Sequence, residues 1–298
     1  MKHLLSIEAM ESKSIEIILE NTAVMKSERG KSQHRPLAGQ TWAMMFSKSS
    51  TRTRVSFEVG IRELGGDVMF LNANDMQLGR GEPIKDTARV LGRMVHGAVI
   101  RTYAQDNVEQ FAEWSGIPTI NALTDAEHPC QIITDIFTYQ EMRGPIAGKV
   151  VTFIGDGACN VPASWIFAAG KLNFELRIAA PKTHQPCPDL VAKASGNIVV
   201  SEDFHAAAEG ADLLYTDVWV SMGMEEEATQ REQDFAGYQI NEALVSRANE
   251  GALVMHCLPA YRGKEIDETT LEAHADTIFS QAENRLHAQK AIINWLVG

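Results

Sequence analysis

The chain lacks any apolar run near the ~20 residues of a membrane span. Where a signal peptide would need a longer apolar core, its N-terminus offers only Leu4-Leu5. A cytoplasmic location is therefore expected. Cysteine is sparse: Cys130, Cys159, Cys187 and Cys257 are scattered with no CxxC pair, which argues against a disulfide framework or a structural zinc site and for a reducing compartment. Positive charge is also short. With 27 Lys and Arg against 39 Asp and Glu, the net charge is −12, which disfavours nucleic acid and anionic membranes as partners. An anionic ligand must then be attracted by a local cluster of arginines. Close internal repeats and low-complexity segments are missing as well.

What is present is enough apolar sequence, 45% of 298 residues, to bury a sizeable core, and a length that suits two domains. A helical pattern runs from Ser6 to about Lys26. From Thr41 onward, strand patterns at 41–46, 67–71, 97–101 and 117–121 alternate with helical patterns at 51–64, 83–94, 105–115 and 128–142. That alternation predicts a parallel sheet covered on both faces. Gly144-Pro145-Ile146-Ala147-Gly148 interrupts it, and a second alternation follows, with strands near 149–154, 174–179, 197–200, 212–216, 252–255 and 276–279. The reading is α/β, two doubly wound parallel-sheet domains over 1–143 and 144–280, with a C-terminal helix over 281–298.

The stretch Phe46-Ser47-Lys48-Ser49-Ser50-Thr51-Arg52-Thr53-Arg54 joins a short apolar strand to an amphipathic helix with Val55, Phe57, Val59, Ile61 and Leu64 on its apolar face, stopped by Gly65-Gly66. Ser50 and Thr51 fall at the helix N-terminus, where unpaired N–H groups and the helix dipole favour an anion, and Arg52 and Thr53 add donors. Position alone also allows an ordinary N-cap beside a solvated basic face. Further strand ends add to it. Arg101 closes the apolar run Gly97-Ala98-Val99-Ile100, and Glu127-His128-Pro129-Cys130-Gln131 opens a helix. A lone histidine is usually structural, but three strand ends supplying Arg52, Arg101 and His128 make a convergence.

In the second half, Gly155-Asp156-Gly157-Ala158-Cys159-Asn160 superficially matches a dinucleotide fingerprint but lacks its third glycine and an acidic residue closing the next strand. A tight strand–helix turn presenting Asn160 is the plainer reading. Asp217-Val218-Trp219-Val220-Ser221-Met222-Gly223-Met224 is unusually apolar for a surface loop, and Asp217 could hold an ammonium group. His256-Cys257-Leu258-Pro259 puts a thiol at another strand end. A metal held by His256 and Cys257 is disfavoured, because adjacent residues of a tight turn rarely converge on one ion.

Together these residues resemble the carbamoyltransferase family over essentially the whole chain, and the ornithine-using branch within it. The resemblance implies that Ser50, Thr51, Arg52 and Thr53 bind the phosphate of carbamoyl phosphate. It places Arg101, His128, Gln131, Gln77, Cys257, Leu258 and the late Arg285 in the same substrate's site. Asn160, Asp217, Ser221 and Met222 would hold ornithine, with Ser221-Met222-Gly223 as a mobile loop. Arg101, His128, Asp217 and Cys257 carry the expected chemistry, attack of ornithine's side-chain amine on the carbonyl carbon, without metal or organic cofactor. The C-terminal helix is expected to return to the first domain, and the assembly to be a homotrimer or a multiple of one. Two departures stand out: Cys159-Asn160 where the family commonly has paired asparagines, and Gly81 and Pro83 where many members have Lys and Ser.

Overall fold

The computed structural model describes residues 1–72, 81–221 and 223–298. By its internal contacts the chain forms two compact units, Met1–Phe137 with Glu283–Gly298, and Thr138–Ala282. The division thus falls within a helix, a few residues before the Gly144-Pro145 interruption. Among the described residues no helix is long and apolar enough to cross a membrane.

The first unit contains α1 (Ser12–Ser27), β1 (Thr41–Phe46), α2 (Thr51–Glu63), β2 (Asp67–Asn72), α3 (Ile84–Leu91), β3 (Gly97–Arg101), α4 (Gln105–Ser115), β4 (Thr119–Leu123) and the start of α5 (Pro129–Arg143). Its four strands are all parallel, in the order β2-β1-β3-β4. β1 is buried along nearly its whole length, as a central strand covered on both faces should be. The chain leaves β1 toward β2 on one side and reaches β3 on the other. The crevice at the carboxyl ends of β1 and β3 is therefore the topological switch point, where open α/β sheets bind ligands.

Three expectations shift here. Helix α1 begins at Ser12, not Ser6, because the preceding residues are drawn to β4: Leu4 bridges Ile120, and the Ile7 and Glu8 N–H groups donate to the Glu127 carboxylate at 2.7 and 3.2 Å. β4 starts at Thr119, after Pro118, which has no N–H to give a sheet ladder. Val55 is 54% exposed, whereas α2 buries Thr53, Ser56, Phe57, Gly60 and Ile61. Gly65 follows the helix with φ +89°, the left-handed conformation glycine adopts without steric cost.

The second unit holds β5 (Val150–Ile154), α6 (Asn160–Leu172), β6 (Glu175–Ala179), α7 (Pro188–Lys193), β7 (Asn197–Ser201), α8 (Phe204–Ala208), β8 (Leu213–Thr216), α9 (Ala228–Asp234), α10 (Glu242–Val245), β9 (Leu253–His256), α11 (Glu268–Ala273) and the first residues of α12 (Ala275–Val297). Its parallel sheet has the order β7-β6-β5-β8-β9, so its switch point lies between β5 and β8. The strand expected at 276–279 is the opening of α12 instead. Thr277-Ile278-Phe279 has strand-like composition, yet Phe279 is 54% exposed and burial continues through Ile278, Gln281 and Arg285 at helical spacing.

From Glu283 onward α12 belongs to the first unit and packs along α2. Gly60 permits the approach: a Cβ there would stand 3.1 Å from Lys290 Cγ and 3.5 Å from Leu286 Cδ1. Lys290 then pairs with Glu63 at 2.7 Å.

Candidate active site

At the switch point of the first sheet, Ser50 caps α2, its hydroxyl accepting from the Thr53 N–H at 3.3 Å. The first N–H groups of α2 lie at the same end, giving a positive terminus suited to an anion. The Ser47 N–H donates to the Arg101 carbonyl at 2.8 Å, which joins the ends of β1 and β3. Arg101 is 8% exposed and His128, just before α5, is 4% exposed. Arg285 arrives from α12, and its Nη2 donates to Thr53 Oγ1 at 2.8 Å.

Burial, then the charges of Arg285 and Arg101, hold His128 well below the ordinary histidine pKa. It is a neutral imidazole at neutral pH, able to donate one hydrogen bond. Gln131 is fully buried, and its Nε2 donates to Asp135 at 2.7 Å, which fixes the orientation of the amide. Gln131 Oε1 has no hydrogen-bond partner among the described residues, so an acceptor is left for a ligand N–H. Burial pushes the Cys130 thiol up to about 12, which leaves it a protonated packing group.

Arg52 is partly buried, while Arg54 is exposed, stacked 3.8 Å over the Phe70 ring and 3.6 Å from Glu58. Lys48, which sequence reasoning passed over, is 8% exposed, ion-paired with Asp125 and 4.3 Å from the centre of the Tyr103 ring. It ties the loop before α2 to the loop before His128. The signal for it in the sequence was a lysine two residues past an apolar strand, within the cationic stretch that opens α2.

In the second unit, β5 leads through Gly155, with φ +136°, into the Asp156–Asn160 turn, and Asn160 is the first residue of α6. Asp217 follows β8, and its Oδ1 accepts from the Val218 N–H at 2.8 Å and from the Cys257 thiol at 2.9 Å. Burial pushes the Asp217 carboxyl above the usual carboxylate range, a rise opposed by the His256 charge and the Cys257 and Val218 hydrogen bonds and reinforced by Glu265. Cys159 is raised well above its ordinary value by burial, Asp156 and Asp217. Trp219 is 7% exposed and stacked on Phe235 at 5.9 Å, so this part of the apolar loop is core rather than surface.

The ligand-type atoms of Asp217, His256 and Cys257 lie within 4.8 Å of one another. Within this trio the Cys257 thiol donates to Asp217, while His256 is held by residues outside it. His256 Nδ1 accepts from the Leu258 N–H at 2.9 Å while Nε2 meets Glu265 at 3.1 Å, so both ring nitrogens already have partners.

Residues 2–141 match the model of the aspartate/ornithine carbamoyltransferase carbamoyl-P binding domain, and residues 147–296 match that of the Asp/Orn binding domain. The chain belongs to the aspartate/ornithine carbamoyltransferase family. A relative named ornithine carbamoyltransferase, from Akkermansia muciniphila, is 55% identical over 98% of this chain and 97% of its own. The solved ornithine carbamoyltransferase of Pyrococcus furiosus is 41% identical with a TM-score of 0.93, over 100% of this chain and 97% of that one. The anabolic enzyme of Campylobacter jejuni is 40% identical with a TM-score of 0.93, covering 99% of both chains.

Set on this family, the structure groups Ser50, Thr51, Arg52, Thr53, Arg101, His128, Gln131 and Arg285 about the first switch point. Asn160, Asp217 and Cys257 stand at strand ends of the second sheet, with Leu258 after Cys257 and Ser221 four residues beyond Asp217. Gln77 and Met222 lie outside the described residues.

Proposed function

We propose that this chain transfers the carbamoyl group of carbamoyl phosphate to the side-chain amine of L-ornithine, forming L-citrulline and phosphate. The observation that carries the choice of acceptor is the polarity of the second switch point. Asp217, Asp156, Cys159 and Cys257 meet there, and the buried Arg231 is paired with Asp156. Such a site suits an ammonium-bearing acceptor, and the buried Arg231, committed to Asp156, is not free for the second carboxylate of aspartate. The relatives named ornithine carbamoyltransferase, matched over nearly full length, support the same reading.

In this reading the α2 N-terminus with Ser50, Thr51, Arg52, Thr53 and Arg285 holds the phosphate. Gln131 Oε1 accepts from the carbamoyl amide. Arg101, neutral His128 and Thr53 donate to the carbonyl oxygen as it becomes an oxyanion, and preorganised donors of this kind are worth about 3–4 kcal/mol each. The side-chain nitrogen of ornithine attacks the carbonyl carbon and a C–N bond forms. The C–O bond to phosphate then breaks, its electron pair leaving with the phosphate, and the proton lost by nitrogen is balanced by the one phosphate gains.

A primary amine with a pKa near 10.4 is protonated in neutral water, so it must lose a proton before it can attack. Asp217, bonded to the Cys257 thiol, is the proposed acceptor at that end. Asn160, Ser221 and Met222 are proposed to fix the amino-acid end, with 220–225 closing on it. A homotrimer, a cytoplasmic location and a place in arginine synthesis or its reverse are proposals that rest on the family alone.

The test is a citrulline-type assay at equal carbamoyl phosphate with ornithine, aspartate, putrescine and N-acetylornithine. Ornithine should be preferred, and preference for any of the other three overturns the reading.

A further inference from the structure

Arg231, in α9, is 5% exposed, and three of its nitrogens serve three different partners. Nη2 donates to Asp156 in the turn after β5, Nε donates to the Trp219 carbonyl at 2.6 Å, and Nη1 reaches Glu227 at 3.4 Å. The guanidinium lies 5.6 Å from the centre of the Phe235 ring, on which Trp219 stacks. Asp156 is itself 4% exposed. Its second oxygen accepts from the Ala158 N–H at 3.0 Å, and its carbonyl accepts from the Cys159 thiol at 3.2 Å.

One side chain therefore joins the segments that leave β5 and β8. Asn160 stands four residues after Asp156 on the first segment, and Asp217 two residues before Trp219 on the second. Removing either partner of a buried pair leaves an uncompensated charge, whereas the intact pair adds little net stability over an apolar one. Here the pair joins three segments at fixed geometry, and a planar fork aimed in three directions is something lysine cannot copy.

We infer that Arg231 is a positioning residue for the acceptor amino acid: it clamps the β5–α6 turn to the segment after β8 and so fixes Asn160 and Asp217 relative to each other, touching no substrate itself. This rests on the reading of ornithine as the acceptor. It adds the part of the second switch point that sets where the acceptor's contacts stand.

The experiment uses the full chain carrying Arg231→Gln, Asp156→Asn, both together, and the charge-conserving Arg231→Lys, each assayed well below its own melting midpoint. Each single variant should raise the ornithine KM at least tenfold while the carbamoyl-phosphate dissociation constant, measured by calorimetry without ornithine, stays within twofold. The double variant should be no worse than the worse single one, because both substitutions release the same clamp. Arg231→Lys should fail to restore the wild-type KM. Hydrogen exchange at 155–160 and 217–220 should quicken in Arg231→Gln.

An ornithine KM within twofold of wild type, multiplicative effects in the double variant, or equal damage to both substrates overturns the clamp. Absence of ornithine turnover by the wild type would overturn the acceptor assignment instead. Hydrogen exchange would still decide whether Arg231 holds the two segments.

Discussion

Arg285 reaches the first switch point from the far end of the sequence, and replacing it with glutamine separates its charge from its shape. The native side chain is 3% exposed, donates to Thr53 Oγ1 at 2.8 Å, and is one of the two cations that hold His128 below its ordinary pKa. Arg285→Gln keeps much of the volume and one amide donor, so α12 should remain docked through the Lys290–Glu63 pair. A hydrogen bond to a charged group contributes about 1.5–3 kcal/mol, so carbamoyl phosphate should bind roughly 10–150-fold more weakly. Calorimetry gives that affinity directly. Imidazole NMR supplies an independent sign, because with one positive neighbour gone the His128 titration must move up toward the ordinary histidine value. An unmoved His128 together with unchanged affinity would refute the convergence of these residues on one anion. Weaker binding with an unmoved His128 would mean that Arg285 acts by docking α12 and not through its charge.

Two pH effects follow from the same electrostatics. His128 is depressed in the folded chain by burial and the two arginines, so the unfolded chain binds its proton more readily; stability is full above the unfolded value of about 6.5 and falls as pH drops from there toward the folded value. Thermal melts from pH 8 to 5 should show that loss, and His128→Asn should lessen it without abolishing it, since burial also lowers His3 and His274; an undiminished loss would place its origin elsewhere. Asp217 is shifted the other way, so the acid limb of kcat/KM for ornithine should lie above the ordinary carboxylate value of about 3.9 and rise further in Cys257→Ala, which removes a hydrogen bond that favours the ionised form. A limb that falls in that variant would detach Asp217 from the profile.

The parts legible in the sequence were those that short-range chemistry dictates. Thr41–Phe46 is apolar on both faces and leads into a capped, cationic helix start, so strand and capped helix could be read from one stretch. Leu4 could not be read in the same way, because its place beside Ile120 depends on β4, more than a hundred residues later. The segment 276–279 misled for a related reason. Its β-branched and aromatic residues favour a strand locally, while the helix containing it is set by packing that continues through Arg285 to Lys290. Lys48 with Asp125, and Arg231 with Asp156, escaped because an ion pair across 77 or 75 residues leaves no periodic trace.

The two switch points solve opposite electrostatic problems within a chain of net charge −12. The first gathers Arg52, Arg101 and Arg285, a positive cluster suited to the anion proposed for it, and burial with the charges of Arg285 and Arg101 keeps His128 neutral there. The second gathers carboxylates and thiols, and there burial keeps the Cys159 thiol protonated and pushes the Asp217 carboxyl above its ordinary value. On the proposed reading, acceptor choice rests on the whole second switch point and not on the Ser221-Met222-Gly223 stretch alone. Recruiting Arg231 to a second carboxylate would first have to free it from Asp156, and that would release the β5–α6 turn that carries Asn160.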